Sequence, residues 1–209
     1  MGVIYLVRHG QAAWGAEDYD VLSELGREQA RLVGAELRRR GVAPQLTLSG
    51  TLRRQLDTAA EALPDLEARA DQRWNEYDAA EIIRRYAGED AVWPAPSQEL
   101  LEQSLGHWGS ETGPGTWYEF RQRIDDAMHE LRGELGKGAA AVVFTSGGVI
   151  SAVVASILGL DVRGFIALNR VTANASISKI VIGRSGANLL CFNDHAHFDG
   201  AGRELLTYR

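Results

Sequence analysis

The stretch Ile4–Gly15, IYLVRHGQAAWG, decides how the chain is read. An apolar run ends abruptly at Arg8, His9 and Gly10. A short apolar segment of this kind reads as a strand buried on both faces, the habit of parallel sheets, and here it covers Val3–Val7. In open parallel sheets ligands gather beyond the carboxyl ends of the strands. The first strand therefore ends by presenting two basic side chains and a flexible backbone to a crevice.

Outward from that strand, short apolar runs alternate with amphipathic segments. Leu22–Arg40 reads as a helix with Ser23 as N-cap, Gly41 just past its end, and Leu25, Leu32, Val33 and Leu37 at helical spacing. PQLTLSG reads as a second strand, and Thr51–Leu63 as a helix halted by Pro64. AAAVVFTSGG is a buried strand, and GVISAVVASILG the helix after it. Thr116 and Glu119 form a capping-box pattern for a helix with Phe120, Ile124, Met128, Leu131 and Leu135 on one stripe. ASISKIVIGRSGANLLCFND reads as a terminal hairpin. Such a pattern specifies an α/β fold, a mostly parallel sheet flanked by helices, in a single domain over residues 1–209. The segment about 74–115, rich in Trp, Pro and Gly, reads as a cap-like insertion, in which Trp93 and Trp108 could wall a substrate pocket.

Three predicted strand ends converge on one chemistry. The first delivers Arg8, His9 and Gly10; the second delivers Ser49 and then Arg54; the VVF strand delivers Thr145, Ser146, Gly147 and Gly148. Paired guanidiniums grip phosphate oxygens in bidentate fashion, and glycines let backbone N–H groups at a helix start approach the same charge. A neutral His9 among these cations can attack phosphorus in line and carry the phosphoryl group. No metal is needed when cations cover the equatorial oxygens and an acid protonates the leaving oxygen; Glu76, in RWNEYD, is the candidate.

These residues resemble the histidine phosphatase superfamily, also called phosphoglycerate mutase-like. Its RHG signature is similar to Arg8, His9 and Gly10, and further resemblance lies in LSELGREQA, SGTLRRQLDTA, NASIS and NDHAH. The resemblance implies a three-layer sandwich around a mixed sheet and selects Arg54 over Arg53 as phosphate ligand. It also matches Trp74–Glu76 to the family's L-x-E acid segment. His9 and Glu76 are then the expected catalytic pair, with Arg8, Gly10, Arg54, Ser146 and Gly147 around the phosphate. Two departures stand out: TSGG places Ser146 where the family usually has a second histidine, and Gly15 stands where many members have asparagine after Trp14. Losing that histidine leaves transition-state charge less compensated by about 1–3 kcal/mol.

Other readings are weaker on residue grounds. Ser146 as nucleophile lacks the glycine two residues earlier that a nucleophile elbow requires, and no aspartate is placed to orient a base. His195 and His197, alternating on a strand near Asp194 and Asp199, could hold a metal, although a hydrogen-bonded strand end is the commoner arrangement. Cys191 reads as core. The net charge of −6 argues against nucleic acid or an anionic membrane as partner. One cysteine excludes an internal disulfide framework, and no signal peptide or membrane span is visible, so a cytoplasmic setting is expected. The expected partner is a small-molecule phosphoester, with no cofactor; a homodimer is left open. Alternatives to hydrolysis are a phosphoglycerate mutase-type transferase, in which Arg84 and Arg85 could contact an anionic substrate, and a phosphate-ligand or phosphoprotein-binding module with decayed chemistry.

Overall fold

The computed structural model describes residues 1–13, 20–91, 97–184 and 186–208. Gly2–Arg8 forms β1 and Glu24–Arg39 forms α1, where Ser23 Oγ accepts the Gly26 N–H at 3.0 Å and Gly41 turns the chain at φ +67°. Leu46–Ser49 (β2), Arg53–Ala62 (α2) and Arg69–Ala70 (β3) follow. A 3-10 turn at Gln72–Trp74 leads to Ala79–Ala87 (α3) and Gln98–Trp108 (α4). Trp117–Glu134 (α5), Ala140–Thr145 (β4), Gly147–Leu158 (α6), Val162–Val171 (α7), Ile177–Gly183 (β5) and Gly186–Asp194 (β6) complete the order.

The strands form a mixed sheet in the order β3-β2-β4-β1-β5-β6. β3, β2, β4 and β1 run parallel, whereas β5 is antiparallel to both β1 and β6. Alternation along β1 and β4 feeds two cores: Ile4, Leu6 and Val143 pack with α5, α6 and α7 on one face, and Tyr5, Val7, Val142 and Phe144 pack with α1 and α2 on the other. The architecture is therefore the three-layer α/β sandwich expected. Register places Arg8 opposite Thr145 and Ser49 opposite Phe144, so three parallel strands end at one level.

The structure revises several local readings. Thr116 precedes α5, but its Oγ1 donates to Gly113 O at 2.6 Å instead of capping the helix, and the Glu119 carboxylate accepts the N–H of Gly115, one residue before the cap. The turn at Gly113 and Gly115, both with positive φ, draws those partners back. Helix α7 was not anticipated; its start is set by Asp161, whose Oδ1 accepts the N–H groups of Arg163 and Gly164. In the segment 74–115, Trp74 and Trp108 are core residues, and Trp108 packs with Tyr77, Trp117 and Phe120. Trp93 lies outside the described residues.

Helices α1 and α2 approach so closely at Gly34 that an added Cβ would stand 2.0 Å from the Ala62 carbonyl oxygen. Gly34→Ala gains up to about 1 kcal/mol of helix propensity but overpacks backbone against backbone, at about 1–3 kcal/mol. The clash wins, and urea denaturation is expected to give a lower midpoint for the variant at an unchanged slope.

Candidate functional site

His9 leaves β1 with all of its backbone groups engaged. Its N–H donates to Thr145 O at 2.8 Å, and its carbonyl accepts from Ala175 N at 3.2 Å and from Asn174 Nδ2 at 3.3 Å. Ala175 adopts φ 53°, a left-handed conformation that costs a non-glycine residue about 1 kcal/mol or more, and that turn aims its N–H at His9. Gly10 permits the chain to pass α1, since a Cβ there would stand 2.2 Å from Gly26 O.

The imidazole is thus held by a rigid backbone, and its tautomer follows from its neighbours. Nδ1 lies 2.7 Å from Gly10 O, an acceptor only, so Nδ1 carries the hydrogen. Nε2 then presents its lone pair, and Arg54 Nε donates to it at 3.2 Å. Burial, followed by the charges of Arg54 and Arg8, holds the His9 pKa well below the ordinary imidazole value. The ring is neutral at pH 7.

The two arginines differ in how they are anchored. Arg54, on the first turn of α2, donates to Asp20 at 2.5 Å as well as to His9. Its side chain is 12 % exposed, against 60 % for Arg53, which faces Asp57 at the surface. Arg8 donates through Nη1 to the carbonyl oxygens of Thr172 and Tyr208. A Cβ on Gly147 would lie 3.5 Å from Arg8 Nε and 3.1 Å from Asn169 Oδ1, so the start of α6 borders the Arg8 guanidinium.

Glu76 meets the next residue of that helix. Its Oε2 accepts the Gly148 N–H at 2.9 Å and its Oε1 the Tyr77 N–H at 3.2 Å, a carboxylate docked on a helix N-terminus. A Cβ at 148 would stand 2.2 Å from Glu76 Oε1 and 2.5 Å from the Tyr77 ring, so a larger residue there would displace the carboxylate from the N–H. Burial raises the Glu76 pKa and outweighs the lowering by the Gly148 N–H, Arg54 and Arg8. Arg8, His9, Arg54, Glu76 and Gly147 are therefore drawn together at the ends of β1, β2 and β4.

Other anticipated residues are turned to different partners. The Gly10 N–H donates to Thr58 Oγ1 at 3.1 Å, so Gly10 serves the site through its carbonyl and not as a phosphate donor. Thr145 Oγ1 donates to Trp74 O at 2.6 Å. Ser146 is fully buried, and its Oγ accepts Gln55 Nε2 at 2.8 Å while the same amide donates to Trp74 O at 3.1 Å. His195 and His197 sit in a turn beyond β6, with His195 Nδ1 2.7 Å from Asn193 O and His197 Nε2 3.1 Å from Ala175 O. They are strand-end residues, bonded to backbone. Arg84 pairs with Glu89 and Arg85 with Glu111. Gly15 and Trp14 lie outside the described residues. Asp20, Gln55, Asn169 and Asn174 were missed; single polar residues without a spacing pattern give no local signal.

The model of the histidine phosphatase superfamily (branch 1) matches residues 4–195. The chain belongs to that superfamily. A glucosyl-3-phosphoglycerate phosphatase from Mycolicibacterium vanbaalenii is 32% identical over 176 residues, covering 76% of this chain and 75% of the relative. A 2,3-bisphosphoglycerate-dependent phosphoglycerate mutase from Rhizobium etli is 28% identical over 207 residues, covering 86% and 90%. The solved structure of a mycobacterial glucosyl-3-phosphoglycerate phosphatase shares the fold, with a TM-score of 0.66 at 24% identity over 91% of this chain and 98% of that one. Histidine phosphatase superfamily membership thus covers phosphatases and mutases alike. Among the described residues, no helix is long and apolar enough to cross a membrane.

Two expectations follow from the geometry. Because Gln55 fills the space beside Ser146, Ser146→His overpacks the site and costs about 1–3 kcal/mol. Adding Gln55→Ala should recover part of that loss, a non-additivity that paired urea titrations measure directly. The depressed His9 pKa has the opposite linkage sign to the raised Glu76 pKa. As pH falls through the ordinary histidine value, the unfolded chain binds a proton that folded His9 refuses, so stability drops. Folded Glu76 instead binds its proton more readily than unfolded chain does, and its contribution fades as pH rises through its folded value. His9→Gln should therefore show a smaller loss of unfolding free energy than wild type between pH 7 and pH 5, by up to about 1.4 kcal/mol per pH unit.

Proposed function

We propose that the protein is a phosphomonoester hydrolase working through a phosphohistidine at His9. The supporting observation is the unprotonated Nε2 facing Arg54 at 3.2 Å with Nδ1–H tied to Gly10 O. In the first step the Nε2 lone pair attacks phosphorus, the bond from phosphorus to the ester oxygen breaks, and Glu76 gives its proton to the departing oxygen. Arg8 and Arg54 spread over the equatorial phosphoryl oxygens, joined by backbone N–H groups at Gly147 in the first turn of α6. Ser146, whose oxygen accepts from Gln55, retains its hydroxyl hydrogen for donation to phosphate. In the second step water attacks phosphorus while the Glu76 carboxylate takes its proton. The N–P bond breaks and the imidazole recovers its lone pair, releasing inorganic phosphate.

Burial supports this division of labour, because it keeps the imidazole neutral and favours a protonated Glu76, the states that a nucleophile and an acid require. Phosphoglycerate mutase chemistry is the second reading, favoured by the Rhizobium etli relative. Against it, Arg84 and Arg85 have carboxylate partners on the protein surface.

Purified protein should hydrolyse para-nitrophenyl phosphate, and His9→Ala should abolish turnover. Acid-labile phosphate should be trapped on the wild type alone; an acid-stable adduct, or turnover equal in His9→Ala, overturns the reading. Glu76→Gln should lower the rate by about 10²–10⁴-fold on an alkyl phosphate, whose leaving oxygen needs a proton, and much less in the first half-reaction with the aryl ester.

A further inference from the structure

Behind His9, the segment Leu205–Tyr208 is wired into the site. Asn174, fully buried, donates Nδ2 to His9 O at 3.3 Å; its Oδ1 accepts the Thr207 hydroxyl at 3.0 Å, and its N–H donates to Thr207 O at 2.8 Å. Gln29, also fully buried, donates Nε2 to Leu205 O at 2.6 Å and to Thr207 Oγ1 at 2.9 Å, and its Oε1 accepts the Gln11 N–H at 2.7 Å. The next carbonyl along, Tyr208 O, accepts from Arg8 Nη1 at 3.0 Å. The Thr207 hydroxyl thus spends its donor on Asn174 and an acceptor lone pair on Gln29. It joins the segment to the loop on both sides of Gly10.

We propose that Thr207 is a positioning residue for the anion site, acting through Asn174 on His9 and through the adjoining Tyr208 carbonyl on Arg8. Asn174 and Gln29 are fully buried and committed to specific partners, so the amide pair transmits displacement rather than absorbing it. With the hydroxyl removed, Asn174 Oδ1 and Gln29 Nε2 lose a partner, and the Asn174 amide, one of the two donors to the His9 carbonyl beside the Ala175 N–H, loses the side-chain contact that fixes it. Misplacement of a nucleophile by about 1 Å costs on the order of 10²-fold in rate. The role in turnover rests on the hydrolase reading, whereas the role in holding the anion does not.

The test compares Thr207→Val, which keeps the branched shape, with Thr207→Ser, which restores the hydroxyl. For para-nitrophenyl phosphate, Thr207→Val should lower kcat by about tenfold or more with a smaller change in KM, and Thr207→Ser should return it to within about threefold of wild type. By calorimetry, inorganic phosphate should bind Thr207→Val at least about fivefold more weakly than wild type, a readout independent of turnover. Unchanged kcat and phosphate affinity in Thr207→Val overturns the proposal, as does Thr207→Ser being impaired to the same degree, which would mean packing alone. A wild type that binds phosphate without hydrolysing the ester defeats the hydrolase reading and leaves the phosphate comparison decisive. If Thr207→Val does not fold, Asn174→Asp, nearly isosteric but with an acceptor facing His9 O, should show the same losses, and wild-type values there overturn the proposal.

Discussion

The hydrogen bond from His9 Nδ1 to the Gly10 carbonyl, 2.7 Å long, is the contact on which the site depends. It assigns the ring hydrogen to one nitrogen and leaves the other as a lone pair beside Arg54. That contact exists because Gly10 lets the backbone turn against α1 at a distance no side chain allows, and because Thr145, Asn174 and Ala175 pin the His9 peptide groups. Sheet, turn and helix all contribute to one imidazole orientation.

Burial and charge then work on two groups in opposite directions. His9 and Glu76 both lose water, which disfavours the charged form of each: the imidazole stays neutral and the carboxyl holds its proton more tightly. Arg8 and Arg54 add to the effect on His9 and oppose it on Glu76. The Gly148 N–H and the α6 terminus likewise favour the carboxylate, and burial outweighs them, so the Glu76 pKa shifts upward.

Ser146, at the end of β4, is tied to a neighbour. Gln55, one residue after Arg54, reaches across to Ser146 Oγ and to the carbonyl of Trp74, two residues before Glu76. A single buried amide thereby links the helix carrying Arg54, the strand end at Ser146 and the segment carrying Glu76. The Gln55 amide lies beside Ser146, and both of its N–H donors find acceptors inside the protein.

Much of this was legible along the chain. Apolar runs marked β1 and β4, helical spacing marked α1, and strand-end logic placed Arg8, His9 and Arg54 in one crevice. Glu76 followed from the family pattern, and its docking on Gly148 depends on a close approach between segments 72 residues apart in sequence. Sequence by itself determined the order of β1, α1, β2, α2, α5, β4, α6 and the terminal hairpin, because those follow from local hydrophobic spacing, whereas β3, α3, α4 and α7 emerged only in the fold. Tertiary structure alone decided which polar atoms meet: that Gly10 offers its carbonyl and not its N–H, that Ser146 faces Gln55, and that Thr207 reaches back to Asn174. Hydrogen-bond partners far apart along the chain are selected by packing, and no local pattern encodes their geometry.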